Sequence, residues 1–257
     1  GVEEAHGLIG LLFDLDDTLL TQGQLTEAAY SALFRLREVG LRLVATTGRP
    51  AGWGEVLAAL WPIDAMVTEN GAVTLTRVGR RVERHDPVAP AERARRRRAL
   101  VQLAAELRAR WPALEPSDDA HARVSDLTLD IGERRTLSPG LVAEAMALAQ
   151  SRGSRVIRSS IHLHLTYDDA DKASGSLRAV CGGLGLDPAQ ARRGFAFIGD
   201  SDNEATCFAT FCTTIGVANL CDGIASPPRF VTTLPMGAGF VEAAEVLVAR
   251  RGAKPRW

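Results

Sequence analysis

Lysine is almost missing from this chain of 257 residues: of thirty basic side chains, only Lys172 and Lys254 carry an ammonium. Arginine supplies the others. A GC-rich genome explains that usage in bulk but not why position 172 escaped it. Net charge is missing too. Thirty Lys and Arg against thirty-one Asp and Glu leave −1, which gives a nucleic acid no basic surface and describes no acidic tail. No apolar run approaches the ~18–20 residues of a membrane span, so no membrane partner is expected. The first ten residues place Glu3 and Glu4 where an export signal has basic side chains, and the expected compartment is cytoplasmic. Cysteine is scarce. Cys181, Cys207, Cys212 and Cys221 form no C-x-x-C pair and read as reduced thiols rather than disulfides or metal ligands. Internal repeats and low-complexity linkers are absent as well.

What is present is an ordinary globular balance, 46% hydrophobic and 24% charged, in a chain long enough to bury a substantial core. Residues 8–13 form a continuous apolar run broken by Asp14, which suits a parallel strand covered on both faces. Thr26 caps a helical pattern in which Ala29, Leu33, Leu36 and Val39 recur at three- and four-residue steps, and Gly40 ends it. Strands over 41–45 and 65–68 flank a helix over 54–60, an alternation that predicts a doubly wound α/β sheet. After Glu69-Asn70-Gly71 the pattern changes to a hairpin (73–76 and 81–84), an arginine-rich helix (91–110), alternating strands (123–131 and 155–166) and a helix (139–150). These predict an α+β unit over 77–170, inserted into a discontinuous core of 1–76 and 171–257. The doubly wound pattern resumes with a helix at 171–184, strands at 195–198 and 212–217, and helices at 202–209 and 239–250.

Three strand ends carry the chemistry. Asp14 and Asp16 leave the first strand two residues apart, and ligands of such sheets sit at the carboxyl ends of strands. Thr46-Thr47-Gly48 ends the second, offering a hydroxyl and a close backbone amide to a phosphate oxygen. Gly199-Asp200-Ser201-Asp202-Asn203-Glu204 ends a third, with a helix behind it.

In this order, D-x-D-x-T (Asp14, Asp16, Thr18), Thr47 before Gly48-Arg49, Lys172 at a helix start and G-D-x-x-N-acid (Asp200, Asn203, Glu204) resemble the four motifs of the haloacid dehalogenase-type phosphatase superfamily. The insertion and Thr68-Glu69-Asn70-Gly71-Ala72 resemble its subclass IIB. That subclass includes phosphatases of sucrose phosphate, trehalose phosphate and mannosyl-3-phosphoglycerate. The resemblance implies a Rossmann-like core with an inserted cap, a bound Mg2+ and a small phosphate ester as substrate. The protein would be a monomer or small homo-oligomer. It implies that Asp14 attacks phosphorus to give an aspartyl-phosphate and that Asp16 protonates the leaving alcohol, then deprotonates water. Thr47, Gly48 and Lys172 would hold the phosphoryl oxygens. The Asp14 carboxylate, the Asp16 carbonyl, Asp200 and Glu204 would ligate the metal. Two positions depart from the pattern. Asp17 stands where Gly is usual, and Glu204 where Asp is usual. One methylene longer, Glu204 could ligate the metal, reach it through water or hold Lys172, while Asp202 is expected to face solvent.

Within the inserted unit the alternation sets Val124, Asp126, Thr128 and Asp130 against Ser125, Leu127, Leu129 and Ile131. It likewise sets Ser160, His162, His164 and Thr166 against Ile161, Leu163 and Leu165. One polar face is expected to cover the site, with Asp126, Asp130, His162 and His164 among the substrate contacts; a plain solvated face is the alternative. Arg49, Glu69, Asn70 and Asn203 are further candidates for binding substrate. Arg93, Arg95, Arg96, Arg97 and Arg98 read as a solvated helix face. His162 and His164 lack an evident third ligand for a second metal. Two other functions stay open at this point: a phosphomutase using the same aspartyl-phosphate, and a catalytically weak binding or regulatory protein.

Overall fold

A computed structural model describes residues 7–159 and 161–252; the expectations resting on Glu3, Glu4, Ser160 and Lys254 lie outside the described residues. The large sheet is built from β1 (Gly10–Asp14), β2 (Arg42–Thr46), β3 (Ala65–Thr68), β4 (Val73–Val78), β5 (Arg81–His85), β9 (Phe195–Gly199), β10 (Thr213–Gly216) and β11 (Phe230–Val231). Its order is β11-β10-β9-β1-β2-β3-β4-β5. All neighbours from β11 to β3 are parallel, and β4 and β5 add an antiparallel edge.

The apolar run before Asp14 is continuous because β1 is buried on both faces. Leu11 and Phe13 point into one core layer, with Leu33, Leu36 and Phe240; Leu12 points into the other, with Val44, Phe197 and Val180. The first layer is closed by α1 (Glu27–Glu38) and α8 (Met236–Gly252), and Phe13 meets Phe240 edge to face at 5.3 Å. The expected N-cap is in place: Thr26 Oγ1 accepts from Ala29 N at 3.3 Å. The second layer is covered by α5 (Lys172–Leu184), α6 (Pro188–Gly194) and α7 (Ala205–Thr210). Helix α2 (Ala51–Leu60) follows β2. Among the described residues no helix is long and apolar enough to cross a membrane.

The inserted unit has its own sheet, β6 (Asp126–Asp130), β8 (His162–Thr166) and β7 (Arg155–Arg158), antiparallel throughout. Helices α3 (Pro90–Arg110) and α4 (Pro139–Ser151) cover its apolar face, where Leu127, Leu129, Leu163 and Leu165 meet Leu100, Leu107, Val142 and Ala145. The opposite face carries Asp126, Thr128 and Asp130 directly across from Thr166, His164 and His162. Both halves of the alternation therefore sit as the sequence reading placed them.

The first boundary of the insertion is corrected. The sequence predicts the inserted unit from residue 77 onward, but β5 pairs with β4 and extends the core sheet. A strand's period fixes which side chains share a face, not which sheet the strand joins. The arginine cluster of α3 is also corrected. Arg95 and Arg98 are exposed, but Arg93 is buried, bonding Asp86 (2.7 Å) before the helix and Asp168 (2.7 Å) after β8. Arg96 adds a 2.5 Å bond to Asp168, and Arg97 reaches the Asp126 and Ala120 carbonyls. Two of the five arginines, Arg93 and Arg96, thus tie the insertion to its connecting segments, and Arg97 braces it internally. Two elements went unread in the sequence, α6 and the two-residue strand β11.

Candidate active site

The strand order reverses beside β1, where β2 and β9 flank it. At such a crevice the carboxyl ends of neighbouring strands open a binding site. Asp14 is the last residue of β1, Thr47 follows β2, and Asp200 follows β9. The chain leaves β1 through a tight turn, Leu15–Leu19, in which Asp17 takes a left-handed φ of 54°.

Lys172 arrives from across the molecule as the first residue of α5. Its place is set by a capping box: Asp171 accepts from Ser174 N (2.7 Å), and Ser174 Oγ accepts from Asp171 N (3.0 Å). Below it, Gly71 (φ 103°) lies so close that a Cβ there would fall 1.8 Å from the Asp171 carbonyl oxygen. Only glycine allows the Glu69–Gly71 turn to touch the start of α5 backbone to backbone.

From that anchor Lys172 Nζ donates to Asp14 Oδ1 at 2.6 Å and to Glu204 Oε1. All three side chains are buried. Burial alone would lower the lysine, but Asp14 and Glu204 together hold it above its ordinary value. Burial pushes Asp14 well up, Lys172 opposes, and the charges of Glu204, Asp200 and Asp16 push the same way as burial. Asp200 is pushed up to about 7 by burial and then by Glu204, with Lys172 and the Thr18 hydroxyl opposing. Thr18 Oγ1 donates to Asp200 Oδ1 at 3.1 Å.

Glu204 settles into the third of its three placements. Oε1 takes Lys172, while Oε2 accepts from Ser201 N (2.8 Å) and Ser201 Oγ (2.7 Å). Gly199 makes room for the extra methylene, since a Cβ there would lie 2.7 Å from Glu204 Cγ. Both oxygens are thus engaged, one with the lysine and one with Ser201. Asp202 and Asn203 are exposed, and Asp202 caps the Ala225 amide at 3.1 Å.

Two buried carboxylates on one ammonium, with the half-buried Asp200 beside them, leave net negative charge among hard oxygen donors, which a divalent cation would neutralise. Among the described residues no three His, Cys, Asp or Glu side chains gather as a metal cluster, and this applies equally to the His162–His164 pair. Carboxylate and carbonyl oxygens are the hard donors that suit Mg2+, which takes one or two carboxylates and keeps several waters. Asp14, Asp200 and the Asp16 carbonyl are the residues that would hold it.

The second strand end forms a compact loop. Thr47 is buried; its N–H donates to the Val67 carbonyl (2.8 Å), and its Oγ1 accepts from Arg49 N (3.1 Å), which leaves the hydroxyl proton available to a ligand. Gly48 packs against the Asn70 amide, 3.1 Å from Oδ1 to where a Cβ would lie. Arg49 forks onto Asp16 (2.5 Å from Nη2 and 3.0 Å from Nε) and stacks over Trp53 at 4.8 Å.

The cap candidates are placed differently from expectation. Asp126 is buried between Arg123 (3.0 Å) and His164 Nδ1 (2.9 Å). Asp130 turns toward its own loop and accepts from the amides of Gly132 (3.0 Å), Glu133 (2.7 Å) and Arg134 (3.1 Å). His162 pairs with Glu133 at 2.9 Å. Asp126, Asp130, His162 Nε2 and His164 Nδ1 each bond partners within the cap. Glu69 likewise is a bolt between core and cap. It accepts from Ala51 N (2.9 Å) on the core side, and from Val124 N (2.8 Å), Ser125 N (2.6 Å), Ser125 Oγ (2.8 Å) and Asp126 N (3.2 Å) on the cap side.

Two contributors escaped the sequence reading. Asn219 donates to the Asp17 carbonyl (3.0 Å) and lies 3.5 Å from Asp200 Oδ2, buttressing two of the strand ends. Arg123 reaches the Gly48 carbonyl at 3.1 Å. Neither stands in a local pattern that marks it.

Known proteins resemble this chain in sequence and in fold. The family model for haloacid dehalogenase-like hydrolases matches residues 11–95. A protein of Haloarcula marismortui named phosphoglycolate phosphatase is 28% identical over 251 residues, covering 91% of this chain and 94% of that relative. One of the same name from Pyrobaculum neutrophilum is 25% identical, covering 95% of this chain and 98% of its own length. Among solved structures, a Thermoplasma acidophilum protein superposes with a TM-score of 0.76 at 18% identity, covering 93% and 98% of the two chains. The sucrose-phosphatase of Synechocystis superposes with a TM-score of 0.63 at 17% identity, with the same coverage. These two likenesses show a shared fold. With the four motifs gathered at three strand ends and one helix start, the chain is similar to haloacid dehalogenase-like hydrolases over residues 11–95 and to proteins named phosphoglycolate phosphatase along nine-tenths of its length.

Proposed function

We propose that the protein is a magnesium-dependent phosphomonoesterase whose substrate is a small phosphate ester bearing a carboxylate, with phosphoglycolate the first candidate. The observation that carries the reaction class is Lys172, buried between Asp14 and Glu204 beside Asp200. Asp14, held through Oδ1, attacks phosphorus; the new aspartyl O–P bond forms as the ester O–P bond breaks, and Asp16 hands its proton to the departing alkoxide. Water then attacks the same phosphorus, Asp16 takes its proton, and the aspartyl O–P bond breaks to release phosphate. Lys172, the Thr47 hydroxyl and the Gly48 amide stabilise the phosphoryl oxygens throughout. Bound Mg2+ would supply the positive charge that lets an anionic nucleophile approach an anionic ester.

Two observations favour a carboxylated leaving group over a sugar. The cap carboxylates expected to bind sugar hydroxyls are already engaged with Arg123, His164 and loop amides. At the mouth, Arg49 holds Asp16 through a fork that a substrate carboxylate competes for, and its transfer frees Asp16 for proton transfer. The relatives named phosphoglycolate phosphatase support the same choice.

Phosphate release with Mg2+, and with EDTA, should be measured for phosphoglycolate, sucrose phosphate, trehalose phosphate and mannosyl-3-phosphoglycerate. Phosphoglycolate is expected to lead, and Asp14→Asn to abolish release. A sugar phosphate in the lead restores the sugar reading. Transfer to a second hydroxyl instead of release makes the protein a mutase, and no turnover of any ester ends the enzyme reading.

A further inference from the structure

Arg123 belongs to the inserted unit, just ahead of β6, and its side chain is 1% exposed. Its Nε and Nη2 fork onto Asp119 (3.0 and 2.8 Å). Its Nη1 bonds Asp126 (3.0 Å) and crosses into the core to the Gly48 carbonyl (3.1 Å). That carbonyl belongs to the peptide joining Gly48 and Arg49. The N–H of the same peptide donates to Thr47 Oγ1 at 3.1 Å. One peptide plane is thus held at both ends, by the cap at its oxygen and by Thr47 at its nitrogen. Its orientation fills the acceptor side of the Thr47 hydroxyl. Around this contact the two units meet closely: a Cβ on Gly52 would lie 3.1 Å from the Ala122 Cβ, and Glu69 is clasped by the 124–126 amides.

We infer that Arg123 is a positioning residue of the phosphate-binding loop, supplied by the cap, so that the docked cap completes the phosphate site itself as well as covering the leaving group. The inference rests on the phosphomonoesterase reading. Because Arg123 acts on the loop and not on the leaving group, its loss weakens turnover of every ester alike. A residue that contacts the leaving group discriminates among them.

The test compares wild type, Arg123→Met, Arg123→Lys and the double variant Arg123→Met/Asp126→Asn, which removes the unpaired buried charge should the single variant fail to fold. Phosphoglycolate and p-nitrophenyl phosphate are the substrates, and orthovanadate affinity reports the phosphate site without turnover. Arg152→Met, which breaks an exposed cap ion pair with Glu106 at 2.5 Å, is the control and should stay within about twofold of wild type. For Arg123→Met we expect kcat to fall about 100-fold on both esters, with their ratio unchanged and vanadate affinity reduced. Arg123→Lys, which keeps one donor within reach of the carbonyl, should recover part of the loss. A folded Arg123→Met or double variant with wild-type kcat and vanadate affinity overturns the inference, as does a loss confined to phosphoglycolate. A lowered Tm alone marks a purely structural arginine and overturns it equally. If wild type neither hydrolyses an ester nor binds vanadate, the phosphomonoesterase reading fails and takes this inference with it.

Discussion

At the strand ends of the core, Asp14 and Glu204 share a single ammonium, whose charge also acts on Asp200. In the inserted unit, Asp119 and Asp126 share the guanidinium of Arg123, Asp126 also receives His164, and Asp130 is wrapped in loop amides. The protonation behaviour of the two groups runs in opposite directions. Burial drives Asp14 well up and Asp200 to about 7. Burial acts on the cap acids too, but Arg123 outweighs it for Asp119, Arg123 and His164 outweigh it for Asp126, and the amides of Glu133, Arg134 and Gly132 outweigh it for Asp130. All three sit below the usual carboxylate range. Burial thus has different consequences according to the local supply of donors. The core acids are short of positive charge, a deficit that suits them to a divalent cation. The cap acids are satisfied internally and hold structure together.

Three measurements break or sharpen this contrast. The largest effect is expected at the core ammonium. Lys172→Arg should lower kcat at least ~100-fold, about 2.7 kcal/mol of transition-state stabilisation, because a planar guanidinium cannot sit as a compact charge between Asp14 and Glu204. Near-wild-type turnover would mean that any cation satisfies the cluster. Next comes Asp126→Asn in the cap. It turns one acceptor into a donor facing Arg123 or His164, and should cost about 2 kcal/mol of stability in urea unfolding. KM for phosphoglycolate should change little; a raised KM without loss of stability would return Asp126 to the substrate.

The smallest effect is that of acid. Because Asp119, Asp126 and Asp130 have folded pKa values below their unfolded ones, their stabilisation is complete above about pH 4 and fades as pH falls below it. Asp200 works the other way, since its carboxylate is favoured less in the folded protein than in the unfolded chain. Hydrogen exchange between pH 5 and pH 3, corrected for intrinsic rates, should therefore show β6 and β8 losing protection before β1. The reverse order would show that the core, not the cap, is held by its carboxylates.

The sequence made the core site legible because strand-end motifs are local. Asp14, Thr47 and Asp200 each follow a readable apolar strand, and Lys172 stood out in a chain that otherwise uses arginine. Glu204 was legible only as a set of choices. Its outcome depends on space beside Gly199, which no pattern reports. Arg123 and Glu69 were illegible as partners for a different reason. Arg123 looks like any arginine before a strand, and the amides that clasp Glu69 lie 55 to 57 residues away. In α3 the helix was plain but its inward arginines were not, because their partners Asp86 and Asp168 lie in the connecting segments.

Arg93 has a consequence for assembly of the chain. Its guanidinium joins Asp86, where the chain leaves the core, to Asp168, where it returns. Bringing the ends of a flexible loop of about 80 residues together costs about 4 kcal/mol in chain entropy. Once the insertion is folded, its own helix holds those ends at neighbouring points. The two distant halves of the large sheet then meet across what is, in effect, a short connection. On this account the arginine is a splice, and the insertion can vary behind it while the strands before residue 86 and the helix that begins at Lys172 keep their distance from one another.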